Sequence, residues 1–274
     1  MGTTIEALLH RRPDLSTFIV HFTRDYENGR AEDNLLSILT QGCLEARTVF
    51  GMAKKLASES KVVADTQRTV CFTETPLEHA WMMTQEIEER RDMKFNGYGL
   101  AFTKAFARKH GCNPVWYLDM TEGPARGDWL TKAVNALVDK ARKDFWIEEV
   151  GDIYTPGLAE EPILKLTPFI EQMGTWPKTG TRKEFWWERE WRCTGGLSFE
   201  PSDVVVAFAP QKRHAALRKL LFAHAESLDI PQAQHLRQLA DSRIVDSDWS
   251  LEYMIGTLAG ISDLGPFPST EPSL

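Results

Sequence analysis

The sequence predicts an α+β fold. Strand-like and helix-like segments alternate unevenly, helices crowd toward the C-terminal end, and one continuous apolar run, Asp203 to Ala209, has the pattern of a strand covered on both faces. A regular doubly wound sheet would space its helices more evenly. The first strand is Phe18-Ile19-Val20-His21-Phe22-Thr23, rich in β-branched and aromatic residues. After a polar Asn28-Gly29 loop, Asp33 is the expected cap of a helix whose Leu35, Leu36, Ile38 and Leu39 precede Gly42. A second strand covers Thr69 to Thr73. Pro76 then opens a helix from Leu77 to Arg91. A third strand runs from Tyr98 to Thr103, a short helix from Lys104 to His110 and a fourth strand from Pro114 to Leu118.

Leu130, Ala133, Val134, Leu137 and Ala141 give the segment from Asp128 to Phe145 an amphipathic helical period. The Pro- and Gly-rich stretch from Gly151 to Thr181 reads as a long loop with one helical turn near Phe169. Trp186 to Cys193 reads as a strand, Gln211 to His224 and Gln232 to Asp241 as helices, and Ile244-Val245 as a last short strand. One domain over 1–262 is expected, followed by a frayed tail over 263–274.

Composition excludes several classes. The chain has 274 residues, 42% hydrophobic and 26% charged, which is enough for an ordinary core. It contains no run of about 18 uncharged apolar residues, so no membrane span, and its first residues lack the order of a secretory signal. Cytoplasmic localisation is expected. A net charge of −7 argues against nonspecific coating of nucleic acid but leaves room for a local basic groove. Cys43, Cys71, Cys112 and Cys193 show no CxxC spacing and read as reduced thiols, with no metal site expected. Helical His79, His214 and His235 read as surface residues.

No nucleotide-binding glycine loop, zinc-protease motif or nucleophile elbow is present. Three segments still carry polar groups where strand patterning expects burial. His21 and Thr23 share a strand face by period-two alternation. Thr73-Glu74-Thr75 ends a strand just before a helix start, which also suits simple capping. In Trp186-Trp187-Glu188-Arg189-Glu190-Trp191-Arg192, two glutamates two residues apart are expected on one face, either as paired acid groups or as an ion-paired edge. Trp176, Trp186, Trp187 and Trp191 fall within one short stretch beside Lys178, Arg182, Lys183, Arg189 and Arg192. Core filling is the default for Trp186 and Trp187. Aromatic and cationic groups so interleaved also suit single-stranded nucleic acid.

The pieces Tyr98-Gly99-Leu100-Ala101-Phe102-Thr103-Lys104, Asn113-Pro114-Val115-Trp116-Tyr117 and Glu188-Arg189-Glu190-Trp191-Arg192 resemble the bacterial abortive-infection AbiGi family, over roughly residues 17–247. The front of the chain, with His-Phe-Thr, Asn34-Leu35 to Gly42 and Cys71-Phe72-Thr73-Glu74-Thr75-Pro76-Leu77, resembles DarT-type ADP-ribosyltransferase toxins. That second resemblance implies a split central sheet, NAD as substrate and transfer to a nucleic acid. By it, His21 would bind the ribose, Thr23 would support the nicotinamide amide, Tyr98 or an aromatic such as Phe72 would stack on the ring, and Phe22 and Thr73 would belong to the same NAD site. Glu190 would be the catalytic carboxylate, with Glu188 orienting the acceptor, since cleavage of the nicotinamide–ribose bond builds positive charge on the sugar. Arg182, Trp187, Arg189 and Arg192 would meet the nucleic acid, Arg192 equally suiting a pair with Glu190. Arg24, Arg47 and Arg68 are all candidates for the NAD arginine. Taken together the resemblances imply first an NAD-dependent ADP-ribosyltransferase of phage defence, with a cognate antitoxin or toxin as partner. The alternative is a non-catalytic antitoxin or partner protein of a two-component abortive-infection system that binds a toxin.

Overall fold

The computed structural model describes residues 15–25, 29–58, 60–84, 95–121, 128–176, 179–184 and 186–261. The tail over 263–274, the later part of the expected Leu77–Arg91 helix, Asn28 and Lys178 lie outside them. The fold is α+β. Its first elements are β1 (Phe18–Phe22), α1 (Ala31–Gln41), β2 (Cys43–Leu44), β3 (Thr48–Val49), α2 (Lys61–Gln67) and β4 (Arg68–Thr73). Next come α3 (Trp81–Thr84), β5 (Gly99–Thr103), α4 (Lys104–Lys109), β6 (Asn113–Pro114), β7 (Trp116–Asp119) and α5 (Trp129–Asp144). The middle holds β8 (Trp146–Ile147), β9 (Asp152–Ile153), α6 (Thr155–Glu160), α7 (Pro162–Leu166), β10 (Ile170–Thr175), β11 (Arg182–Lys183) and β12 (Glu190–Thr194). The last are β13 (Leu197–Ser198), β14 (Val204–Phe208), α8 (His214–Ala225), α9 (Ile230–Ser242), β15 (Ile244–Val245) and α10 (Leu251–Leu258).

Contacts divide the chain into two compact units. One comprises Met1–His21, Gly42–Thr75 and Thr103–Phe199, the other Phe22–Gln41, Pro76–Phe102 and Glu200–Leu274. In the first unit β4 runs between β1 and β12, antiparallel to both, and β6 pairs with the far side of β12. Its Thr-Val-Cys-Phe-Thr run fits a pleated, covered surface. A second sheet sets β10 parallel to β7 and antiparallel to β11. Helix α5 packs its Val134 against Leu118 and Ile170 of that sheet. Val138 and Ala141, on the same helical stripe, meet Val63, Leu158 and Leu164.

In the second unit β14 pairs antiparallel with β5 and parallel with β15. Val204, Val206, Ala207 and Phe208 are all buried, as an apolar run between covered faces requires. Leu217 and Leu221 of α8 and Leu236 and Leu239 of α9 are buried with them. Helix α9 begins at Asp229, whose carboxylate accepts from the Gln232 amide at 2.9 Å, and its early Pro231 suits a position where no amide bond is needed.

Several expectations are corrected. The stretch from 151 to 181 is no loop: it holds α6, α7 and β10. Pro156 and Pro162 stand in the first turns of α6 and α7, where proline is favoured, and Leu158 and Leu164 are fully buried. The expected helical turn near Phe169 is present as a 3-10 turn over Thr167–Phe169, with Pro168 inside it. Trp186 to Cys193 is not one strand. Trp186–Glu188 is a 3-10 turn, and Arg189 adopts a left-handed φ of 46° before β12 starts. Asp33 does not cap α1. The helix starts at Ala31, whose amide donates to Asp25 Oδ1 at 2.7 Å, while Asp33 pairs with Arg30 in the first turn. Val115 breaks the expected fourth strand into β6 and β7. The described start of the Leu77 helix is a 3-10 turn over Leu77–His79 followed by α3. Among the described residues no helix is long and apolar enough to cross a membrane, and no group of three or more His, Cys, Asp or Glu could hold a metal ion.

Candidate functional site

The left-handed Arg189 cancels the argument that Glu188 and Glu190 share a strand face. Alternation needs continuous extended backbone, and Glu188 sits in the 3-10 turn, its carbonyl accepting from Thr73 Oγ1 at 2.6 Å. Glu190 opens β12 opposite Thr73 of β4, and Thr73 faces Val20 of β1 in turn. Residues directly opposite in antiparallel strands point the same way. Val20, Thr73 and Glu190 therefore form one row, and the next row, on the other face, is His21, Phe72 and Trp191. His21 and Phe72 do meet there, edge to face at 5.8 Å. His21 and Glu190 project from opposite faces of their sheet.

The Glu190 face is built around Arg192, whose side chain is 2% exposed. Its Nε donates to Glu190 Oε1 at 2.8 Å and its Nη2 to Glu190 Oε2 at 2.9 Å, a two-pronged pair. Nη2 also reaches Glu171 Oε2 at 3.0 Å, and Nη1 donates to the Pro168 carbonyl at 2.7 Å. The Phe50 ring covers the guanidinium at 4.7 Å. Burial is the largest single influence and works against the Arg192 charge, but Glu190, Cys71 and Glu171 together outweigh it and hold the guanidinium more firmly protonated than usual. Tyr117 donates its hydroxyl to Glu190 Oε2 at 3.3 Å. Burial, then the Glu190 charge, push that phenol above its ordinary range, and the same two causes raise the Cys71 thiol. Glu171 further accepts from the Gly51 amide at 3.3 Å. Gly51 has φ +85°, and any Cβ there would run into the Thr167 backbone, so only glycine fits.

The opposite face carries a second buried carboxylate. Glu74 accepts from Arg189 Nη2 and Lys104 Nζ, both at 2.8 Å, and from Trp191 Nε1 at 2.7 Å. Lys104 and Arg108 of α4 also lie over the Trp191 ring. Thr73 Oγ1 bonds Thr75 Oγ1 at 2.8 Å and accepts from the Thr75 amide at 3.2 Å. The 3-10 turn that follows starts at Pro76 without a side-chain cap, so the expected capping by this strand end is not what the structure shows.

The remaining candidates separate. Phe22 and Thr23 belong to the second unit. Phe22 is a core ring against Phe208 and Phe95. Thr23 is buried, its hydroxyl donating to the Ala31 carbonyl at 2.8 Å. Tyr98 is half-buried there, its carbonyl accepting from the Thr23 amide, and burial raises its phenol. His21 Nδ1 lies 2.9 Å from the Cys71 carbonyl in the first unit. Of the basic and aromatic set, Arg182 is exposed and pairs with Glu184, and Trp187 Nε1 donates to the Glu184 carbonyl at 3.0 Å. Arg192 is interior, so no surface contact falls to it. Trp186 is 62% exposed and fills no core, whereas Trp191 does. Glu171, Tyr117 and Glu74 were not anticipated as partners. The available signal was Arg192 between Trp191 and Cys193, since an arginine in a covered strand demands carboxylates.

A family model described as "Putative abortive phage resistance protein AbiGi, antitoxin" matches residues 36–215. No curated protein and no solved structure gives a match.

Proposed function

Because the chain belongs to the AbiGi family of abortive phage resistance, we propose that it is the non-catalytic antitoxin of a two-component defence system and acts by binding its cognate toxin. The observation that carries this reading is the family match over residues 36–215, with its antitoxin description. The state of Glu190 supports it. A carboxylate serving an oxocarbenium-like centre must face the substrate, whereas this one is 11% exposed and already occupied by Arg192 and Tyr117. The ion-paired scaffold role is the better fit.

The transferase reading, with NAD as substrate, a split ADP-ribosyltransferase-like sheet and a nucleic-acid acceptor, requires His21 and Glu190 to converge. Their opposite-face register speaks against it. One experiment separates the two readings. The protein is co-expressed with the products of its native operon and purified through a tag on this chain, as wild type and as Glu190→Gln. The expected result is a stoichiometric complex with one operon partner, retained by the folded variant, and no label transfer when the purified chain meets labelled NAD with RNA, single-stranded DNA or lysate. Label transfer lost in Glu190→Gln, with no complex, would overturn the antitoxin assignment.

A further inference from the structure

Cys112 and Cys193 occupy a position that the pairing of β6 with β12 defines closely. Trp191 is opposite Pro114 and Arg192 opposite Asn113, so the next pair in register is Cys193 with Cys112. The Val115 amide donates to the Glu190 carbonyl at 2.8 Å, which makes 115/190 a hydrogen-bonded pair. Pairs alternate along an antiparallel ladder. Arg192/Asn113 is then hydrogen-bonded, while Trp191/Pro114 and Cys193/Cys112 are not. The absence of an amide hydrogen on Pro114 agrees with that assignment. In non-hydrogen-bonded pairs the Cα atoms approach to about 4.5 Å and the side chains lie closest, within the range that a disulfide spans.

Both thiols are free, and both are 1% exposed. The Cys193 thiol lies 3.3 Å from the Gly196 carbonyl and 3.3 Å from that of His110, at the turn that leads into Cys112. The nearness of the two thiols, with burial, raises that of Cys112, and the same nearness lowers that of Cys193. The segment that holds Cys112 is short. It turns at the exposed Gly111, with φ +78°, and continues into a two-residue strand whose Asn113 and Pro114 are exposed. An edge this short is where local opening costs least, and such opening would give a small oxidant its route to the pair.

The geometry points to Cys112 and Cys193 as a reversible redox pair that closes to a disulfide when the protein meets a hydroperoxide. In the first step the Cys193 sulfur, as thiolate, attacks one peroxide oxygen; the O–O bond breaks, and Cys193 becomes a sulfenic acid while water leaves. In the second, the Cys112 sulfur gives up its proton and attacks the Cys193 sulfur, expelling the sulfenic oxygen as a second water. Two thiols are oxidised to one disulfide, and one hydrogen peroxide is reduced to two waters. The bond pins the edge strand β6 to β12, next to Arg192. This inference stands independently of the antitoxin assignment.

The test treats the full-length protein with graded hydrogen peroxide, blocks remaining thiols with N-ethylmaleimide and maps the digest without reduction. The expected product joins the Cys112 and Cys193 peptides, with an intact mass lower by two hydrogens before blocking and maleimide on Cys43 and Cys71 alone. Dithiothreitol reverses it. In Cys112→Ser, dimedone traps Cys193 as the sulfenic acid; should that variant not fold, the wild-type peptide map decides by itself. Maleimide on all four cysteines after treatment, sulfinic acid at Cys193 without a cross-link, or a cross-link through Cys43 or Cys71 would overturn the assignment.

Discussion

Arg192 concentrates the energetics of the first unit in one side chain. Removing one partner of a buried ion pair leaves the other charge uncompensated, which costs more than the pair itself contributes. Arg192→Met strands Glu190 and Glu171 and is expected to destabilise the protein by about 3–5 kcal/mol in urea unfolding. Glu190→Gln, which leaves Glu171 on the guanidinium, should cost less, and the double variant should recover part of the Arg192→Met loss. Additive losses would show that the two side chains do not act as a pair. His214 offers a pH handle. Burial lowers its pKa, against the opposing influence of the Ala209 carbonyl at 2.8 Å and of Asp246, while Arg218 adds to the lowering. The unfolded imidazole titrates near about 6.5, so the folded chain binds fewer protons below that pH. His214 therefore contributes no penalty above about pH 6.5, and stability falls as pH drops from there through the lowered folded value. Melting temperatures between pH 7.5 and 5 should show this acid loss, and His214→Gln should flatten it. His214 packs at 5.3 Å against Trp249, so tryptophan fluorescence can report the same transition.

At the scale of elements, α1 tests which residue begins a helix. Asp25, not Asp33, accepts the Ala31 amide. Asp25→Ala is expected to cost about 1 kcal/mol by denaturant unfolding, and Asp33→Ala, which removes only an exposed pair with Arg30, to fall within measurement error. Equal losses would return the cap to Asp33. Elements whose own pattern is strong, β4, β14, α5 and α8, were legible from the residues, because apolar spacing and burial coincide in them. Helices α6 and α7 were hidden by prolines that read as punctuation but serve as helix starts. Strand β10 was hidden by Glu171 and Gln172, polar residues whose place in a sheet depends on Arg192 and on β7, both distant in sequence. Glu190 and Arg192 stood out from the sequence. Their partners Glu171 and Tyr117 did not, since only tertiary pairing brings them near.

For the whole molecule, the same separation holds between family and mechanism. The AbiGi resemblance, read from short motifs spread along the chain, agrees with the family match. The transferase reading drew on the order His, Thr, Glu, and order along a chain says nothing about which face of a sheet each residue leaves from. A single left-handed residue at Arg189 was enough to detach Glu188 from the strand alternation that had joined it to Glu190.

Pro114 has a consequence for how the molecule keeps to itself. It lies on β6, the last strand in its order, in a pair whose backbone groups point away from β12. The donor that proline lacks is therefore one that an incoming strand from another chain would have needed. On one side of it the exposed Asn113 is a residue that strands disfavour. The end of this sheet is chemically blunted against fibril-like growth.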